Sequence, residues 1–247
     1  MKAKRLRLDV ALVERGFFPS REQAQRAVMA GEVKIGTRVA SKSSDLVQFD
    51  ALLLVESGSR YVGRGGLKLE GALDYFQVSV ARMVALDIGA STGGFTDCLL
   101  QRGAAKVYAI DVGHGQLAWK IRNDPRVIVR ERMNARYLSR DDVPERIDLA
   151  VIDVSFISLS LILPNVFELL PPNGLLLALI KPQFELQAAE VAHGGIVRDP
   201  ALHEKAQTKI RDFVANGGHT VIGLVRSPIT GADGNQEFFI CVRRKLA

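Results

Sequence analysis

A chain of 247 residues with 47% hydrophobic content can bury a substantial core, and its length suits one large domain or a large and a small one. The longest apolar runs, such as Leu175 to Ile180, fall far short of the roughly 20 residues that span a bilayer, and the basic opening MKAKRLRLDV leads into neither the apolar stretch nor the cleavage site of a secretory signal. A soluble, cytoplasmic protein is expected, in which Cys98 and Cys241, lacking motif spacing, are small buried hydrophobes. The net charge of +6 is unevenly placed: residues 1–60 hold 11 Lys/Arg against 7 Asp/Glu, the remaining residues 22 against 20. A basic N-terminal module points to a polyanion, nucleic acid above all, or else to a solvated face.

From Leu6 to Gly16, Leu8, Leu12 and Val13 form one helical face, which Gly16 ends. Ser20 opens a second helix with a capping box reaching Gln23. Ala24, Ala27 and Val28 line its inner side, Arg21 and Gln25 are expected to point away, and Gly31 stops it. GEVKIGTRVA then alternates Val33, Ile35 and Val39 with Lys34 and Arg38 around Gly36, a hairpin pattern with a basic open side. Residues 1–60 thus form a small α+β module. The apolar strand ALLLVE and the glycine-rich seam SGSRYVGRGG follow.

In residues 61–247, strands are expected near Met83–Asp87, Val107–Asp111, Val127–Glu131, Leu149–Asp153, Leu175–Ile180, His219–Val225 and Phe238–Val242, most of them separated by helices. This alternation predicts an α/β fold: a Rossmann-like, mainly parallel seven-stranded sheet with helices on both faces, whose ligands bind at the carboxyl ends of the strands.

The stretch VALDIGASTGGFTDCLL reads as strand, acid, glycine-rich turn and helix. Asp87, Gly89, Ala90, Ser91, Thr92, Gly93, Gly94 and Phe95 are candidate cofactor contacts, since the glycines let the backbone approach a ligand. The second strand ends at Asp111 and Val112, where a carboxylate can accept ribose hydroxyls. A dinucleotide fingerprint would read G-x-G-x-x-G, but this chain has G-x-x-x-G-G behind an acid. That favours S-adenosylmethionine, which carries an ammonium and no phosphate, over NAD and an oxidoreductase. Met133 and Asn134, after the third strand, are placed to pack on and read an adenine, or form an ordinary loop.

Polar residues at further strand ends complete the constellation. Asp153 follows an apolar run, Lys181 precedes Pro182, and Glu237 opens the last strand. Lys68, among Leu67, Leu69 and Leu73, reads locally as the wet face of a helix. Two lysines and two acids suit methyl transfer to a hydroxyl, a poor nucleophile that needs a base or electrostatic help. No Asn/Asp-Pro-Pro-Tyr motif of amine methylation occurs.

RLDVALVERGFFPSREQAQRAVMAGEVKIG resembles the S4 domain, and YVGRGGLKLEGAL, LDIGASTGGFTDCLL, DVGHGQLAWKIRNDPRV, DVSFISL, IKPQFE and GNQEFF together resemble the TlyA, or haemolysin-A-like, family of ribosomal RNA ribose 2′-O-methyltransferases, and more distantly the FtsJ type. The resemblance implies a catalytic tetrad of Lys68, Asp153, Lys181 and Glu237, with S-adenosylmethionine as cofactor. It also implies RNA contacts at Arg5, Arg7, Arg21, Arg26 and Lys34, with Arg64 in the seam beside the phosphate backbone. Arg26 has a plainer role open to it, pairing with Glu22 one turn back. The implied reaction is 2′-O-methylation of cytidine in ribosomal RNA of one or both subunits, by a monomer that needs no metal and no membrane. The rivals are a membrane-active haemolysin and a non-catalytic RNA-binding assembly factor.

Overall fold

A computed structural model describes residues 5–18, 20–55, 60–192 and 194–245. The chain divides into two compact units, Met1–Arg64 and Gly65–Ala247.

The first unit contains β1 (Arg5–Arg7), α1 (Leu8–Glu14), α2 (Arg21–Ala30), β2 (Val33–Ile35), β3 (Arg38–Val39), β4 (Leu46–Gln48) and β5 (Leu53–Val55). The expected hairpin is present, with Lys34 opposite Val39 and Ile35 opposite Arg38, and β5 adds on the other side of β2. The first helix starts later than its apolar spacing suggests. Arg5, Leu6 and Arg7 are drawn into a two-stranded sheet against Gln48, Val47 and Leu46, a non-local pairing that overrides local periodicity. Ser20 caps α2 by accepting from the Gln23 amide at 3.3 Å, and Gly31 ends it in the left-handed region. Leu8, Leu12, Ala24, Val28, Val33, Val47 and Leu53 share one core.

The second unit opens with α3 (Gly65–Tyr75) and then alternates: β6 (Val84–Ile88), α4 (Gly94–Gln101), β7 (Lys106–Ile110), α5 (Trp119–Arg122), β8 (Val127–Arg130), β9 (Leu149–Ile152), α6 (Leu163–Leu169), β10 (Leu175–Ile180), α7 (Pro182–Glu185), α8 (Pro200–Asn216), β11 (Thr220–Arg226) and β12 (Phe238–Arg243). All seven expected strands are present, in the order β11-β12-β10-β9-β6-β7-β8. Those from β10 to β8 are parallel, and β12 runs antiparallel between β10 and β11. β9 and most of β10 are buried along their length, as strands covered on both faces must be. On one face Leu163, Val166, Ile210 and Val214 of α6 and α8 pack with Ile88, Ile152, Ile180 and Val242. On the other, Phe95 of α4 stacks on Phe239 of β12 with ring centroids 6.0 Å apart. The chain starts its sheet at β6 and adds strands to both sides, so a crevice opens at the carboxyl ends of β6, β7 and β9.

Candidate active site

The crevice holds a cavity of about 470 Å³. Gly89, Ser91, Asp111, Val112, Met133 and Asn134 line it on one side, and Asp153 to Ile157 on the other. Gly89 has φ +84°, and a Cβ there would stand 2.3 Å from the Asp153 carbonyl oxygen, so this turn admits only glycine. The Asp111 carboxylate accepts from the Ser91 amide at 2.7 Å and the Gly113 amide at 2.6 Å, which fixes its orientation and leaves each oxygen a lone pair for a further donor. Asn134 spends its side-chain oxygen on the Arg136 amide at 3.0 Å, so its NH₂ is the group left to donate.

Asp87 is fully buried behind the cavity wall. Thr96 Oγ1 donates to its Oδ2 at 2.6 Å, while Oδ1 is buried without a partner. Burial pushes its pKa up to about 7, and the carboxylates of Asp153 and Asp111 push the same way. Three acids and an orphaned buried carboxylate oxygen at adjacent strand ends fit a small cationic ligand. Ala90, Thr92, Gly93 and Gly94 shape the turn without lining the cavity, and Gly93, at φ +96°, caps α4. Phe95, expected to touch a cofactor, instead packs into the core on Phe239. Its position one residue into an apolar helix turns the ring toward the sheet.

The four expected catalytic residues meet at the same sheet edge as two ion pairs. Lys68 is not on a wet face: it is 7% exposed, and its Nζ lies 2.5 Å from Oε2 of Glu237, itself 2% exposed. Lys181 Nζ lies 2.7 Å from Asp153 Oδ1, off the line of a hydrogen bond, and donates to Ser155 Oγ at 2.9 Å. The sheet explains the convergence. β10 and β12 pair Ile180 with Phe238, so Lys181, just after the one, comes beside Glu237, just before the other. The Asp153 amide donates to the Ile88 carbonyl at 2.9 Å, which sets Asp153 beside Gly89. α3 starts close by, since a Cβ on Gly65 would come within 3.8 Å of Asp153 Oδ2. Of the four, only Asp153 lines the cavity.

Sequence reasoning missed Ser155 and Phe156, although both stand in the DVSFISL stretch. Phe156 lines the cavity 91% exposed, at φ +65°, with its ring 5.1 Å from that of Phe184. A bulky residue in the left-handed region is a local signal that no sequence pattern carries.

In the first unit, Arg21 stays exposed, and both it and Gln25 reach a partner on another helix. With Arg7 they converge on Asp9, a fully buried carboxylate. Arg7 Nη2 and Arg21 Nη2 each donate to Oδ2 at 3.0 Å, Gln25 Nε2 does so at 2.7 Å, and Arg7 Nε and the Val10 amide take Oδ1 at 3.0 and 2.9 Å. These bonds, the one from Arg7 foremost, hold the Asp9 carboxyl well below the usual range, while both guanidiniums stay about half-exposed. Arg26 pairs with Glu22 at 2.5 Å. Arg5 is exposed and Lys34 half-buried, and Arg64 lies across Gly31, where a Cβ would meet its Cγ at 2.5 Å.

Among the described residues no helix is long and apolar enough to cross a membrane, and no group of three His, Cys, Asp or Glu side chains could hold a metal ion. Residues 6–53 match the S4 domain family and residues 61–244 the FtsJ-like methyltransferase family. The chain is 50% identical over 242 residues to a candidate rRNA methyltransferase, YqxC, of Bacillus subtilis, covering 97% of this chain and 86% of that protein. It is 44% identical over 243 residues to the 16S/23S rRNA (cytidine-2′-O)-methyltransferase TlyA of Mycobacterium tuberculosis, covering 98% and 91%. A solved structure of a candidate hemolysin from Streptococcus thermophilus superposes with a TM-score of 0.77 at 44% identity, over 98% of this chain and 89% of that one.

Proposed function

The chain belongs to the TlyA family and joins an S4 domain to an FtsJ-like methyltransferase domain, and from that premise we propose that it methylates the ribose 2′-hydroxyl of cytidine in ribosomal RNA of one or both subunits, with S-adenosylmethionine as donor. The observation that carries the proposal is the Lys181–Asp153 pair at the wall of the cavity, backed by the buried Lys68–Glu237 pair. Asp111 would hold the donor's ribose hydroxyls, Met133 and Asn134 its adenine, and the turn from Asp87 to Gly94 its charged arm. When bound, the donor supplies an electrophilic sulfonium methyl.

The chain's own residues manage the hydroxyl. Lys181 faces the incoming oxygen, assists its deprotonation and stabilises the negative charge that develops there. Asp153 and Ser155 orient the amine. Lys68 and Glu237, desolvated and paired, fix the second amine next to the site; because Glu237 offsets the charge of Lys68, this pair acts chiefly by position. The S4 unit, with Arg5, Arg7, Arg21, Arg26 and Lys34, and Arg64 at its end, supplies phosphate contacts that hold RNA without reading sequence.

Incubation with S-adenosylmethionine carrying a labelled methyl group and with ribosomal RNA or subunits is expected to leave an alkali-resistant 2′-O-methylated dinucleotide. Lys181→Ala and Lys68→Ala should lower turnover by about 10²- to 10⁴-fold with donor Kd unchanged. No incorporation into free RNA, either subunit or whole ribosomes would sink the enzyme assignment. Loss of donor binding in Lys181→Ala would move that lysine into the cofactor site.

A further inference from the structure

α7 is a single turn, yet it grips the loop that follows β9 at three points. At its start, Lys181 meets Asp153 and donates to Ser155. In its middle, the ring of Phe184 rests against that of Phe156, with centroids 5.1 Å apart. At its end, Glu185, whose side chain is 2% exposed, accepts from the Leu159 amide at 2.7 Å through Oε1 and from Ser158 Oγ at 2.5 Å through Oε2. Lys209 of α8 closes the far side. Its Nζ lies 3.1 Å from Glu185 Oε2 and donates to the Glu185 carbonyl at 2.6 Å, while its side chain remains 44% exposed.

A four-residue helix has little stability of its own, and a desolvated carboxylate is costly unless its lone pairs are used. An apolar anchor would have held α7 as well. A carboxylate that accepts directed bonds from a loop amide and a loop hydroxyl does more: it fixes the rotation and register of that loop. The loop is the one that delivers Asp153, Ser155 and the left-handed Phe156 to the cavity wall. A residue held at positive φ persists only where its surroundings over-determine it.

We propose that Glu185, through Ser158 and Leu159 and backed by Lys209, is a positioning residue that sets the loop from Asp153 to Leu159 against Lys181. The proposal rests on the methyltransferase assignment above for its effect on turnover, and on the geometry alone for its effect on the loop.

Glu185→Gln tests it with little change of shape. Whichever way the amide turns, its nitrogen meets a donor, Lys209 on the one side or the Leu159 amide on the other, so the full set of bonds to Glu185 cannot be kept. Turnover of the full-length enzyme is expected to fall about 10- to 100-fold, the scale of a small misplacement of reacting groups. Kd for RNA should not change, and Kd for S-adenosylmethionine, whose cavity this loop lines, should rise by less than turnover falls. Ser158→Ala, which removes the bond to Glu185 together with those to Ser160 and Lys209, should cost roughly 3- to 10-fold, and the double variant should fall short of the product of the two single losses, because both changes act on one connected cluster. Hydrogen exchange of residues 154–159 should quicken in both single variants. Lys205→Ala, one turn before Lys209 on α8, removes a pair with Glu190, which lies outside that helix, and should leave turnover and exchange as they are.

Wild-type turnover and exchange in Glu185→Gln would overturn the proposal. So would losses in turnover, both Kd values and melting temperature together, or additivity in the double variant. If Glu185→Gln does not fold, Ser158→Ala decides by the same two readouts. If the wild type transfers no methyl group to RNA, the enzyme assignment fails, and loop exchange still decides whether Glu185 holds the loop.

Discussion

Two aspartates, one in each unit, are buried to 0% exposure and could hardly be treated more differently. Asp9 receives five hydrogen bonds from two arginines, a glutamine and an amide, and its carboxyl is held far into the charged form. Asp87 receives one side-chain bond, from Thr96, keeps an oxygen with no partner, and is driven toward the neutral form. Burying a charge is unfavourable unless its lone pairs are met. Asp9 meets that condition within its own unit, so it reads as a finished piece of structure that locks Arg7 and Arg21 into a fixed, half-exposed fork. Asp87 does not, and on the proposed function its unsatisfied oxygen is where the charged arm of the donor would complete the structure.

The sharpest way to break this contrast is Asp87→Asn. Donor affinity should fall about 10- to 100-fold, near 1.4 to 2.8 kcal/mol, by titration calorimetry. The donor-free protein should at the same time become more stable at pH 8 by about 1–3 kcal/mol, since no unpaired charge is then buried. The sign follows from a folded-state pKa raised from 3.8 to about 7. The stabilising, protonated form is fully present below the unfolded value, and its contribution is lost as the pH rises through 7. Melting temperatures of the wild type should therefore drop over that window and those of Asp87→Asn should not. Unaltered donor binding would reduce Asp87 to a strained core residue.

Asp9→Asn tests the other side. It should loosen α1 and α2 by about 1–3 kcal/mol, read as faster hydrogen exchange there, and weaken RNA binding by roughly fivefold with donor affinity untouched. The contribution of Asp9 is of opposite pH sign: present above the usual carboxylate value near 3.8, it is lost as the pH falls below it. Intact RNA affinity in a loosened unit would mean that the fork serves folding alone. The smallest effect is expected for Arg26→Ala, whose pair with Glu22 is exposed on both sides. Stability should shift by no more than about 0.5 kcal/mol, and the salt dependence of RNA binding should lose roughly one phosphate contact. An unchanged salt slope would remove Arg26 from the RNA surface.

The seven strands of the second unit were legible because each is an apolar run closed by a polar residue, and Asp111 and Asp153 were legible as those closing residues. The helix face of Ala24, Ala27 and Val28 followed from spacing alone. The contacts that the sequence left unread share one cause. Arg21 and Gln25, on the side of α2 away from Ala24, Ala27 and Val28, reach Asp9 on another helix. Phe95, inside a cofactor motif, is claimed by Phe239.

Lys68 shows the division most plainly. The order of strands and helices, the glycine turn at Gly89 and the set of two lysines and two acids were determined by the sequence, because hydrophobic periodicity and backbone permissiveness are properties of neighbouring residues. That Lys68 is buried against Glu237, 169 residues away, while Lys181 is shared between Asp153 and Ser155, was decided only by the tertiary structure. Which amine meets which carboxylate depends on strand order and register, and those are set by the packing of the whole sheet.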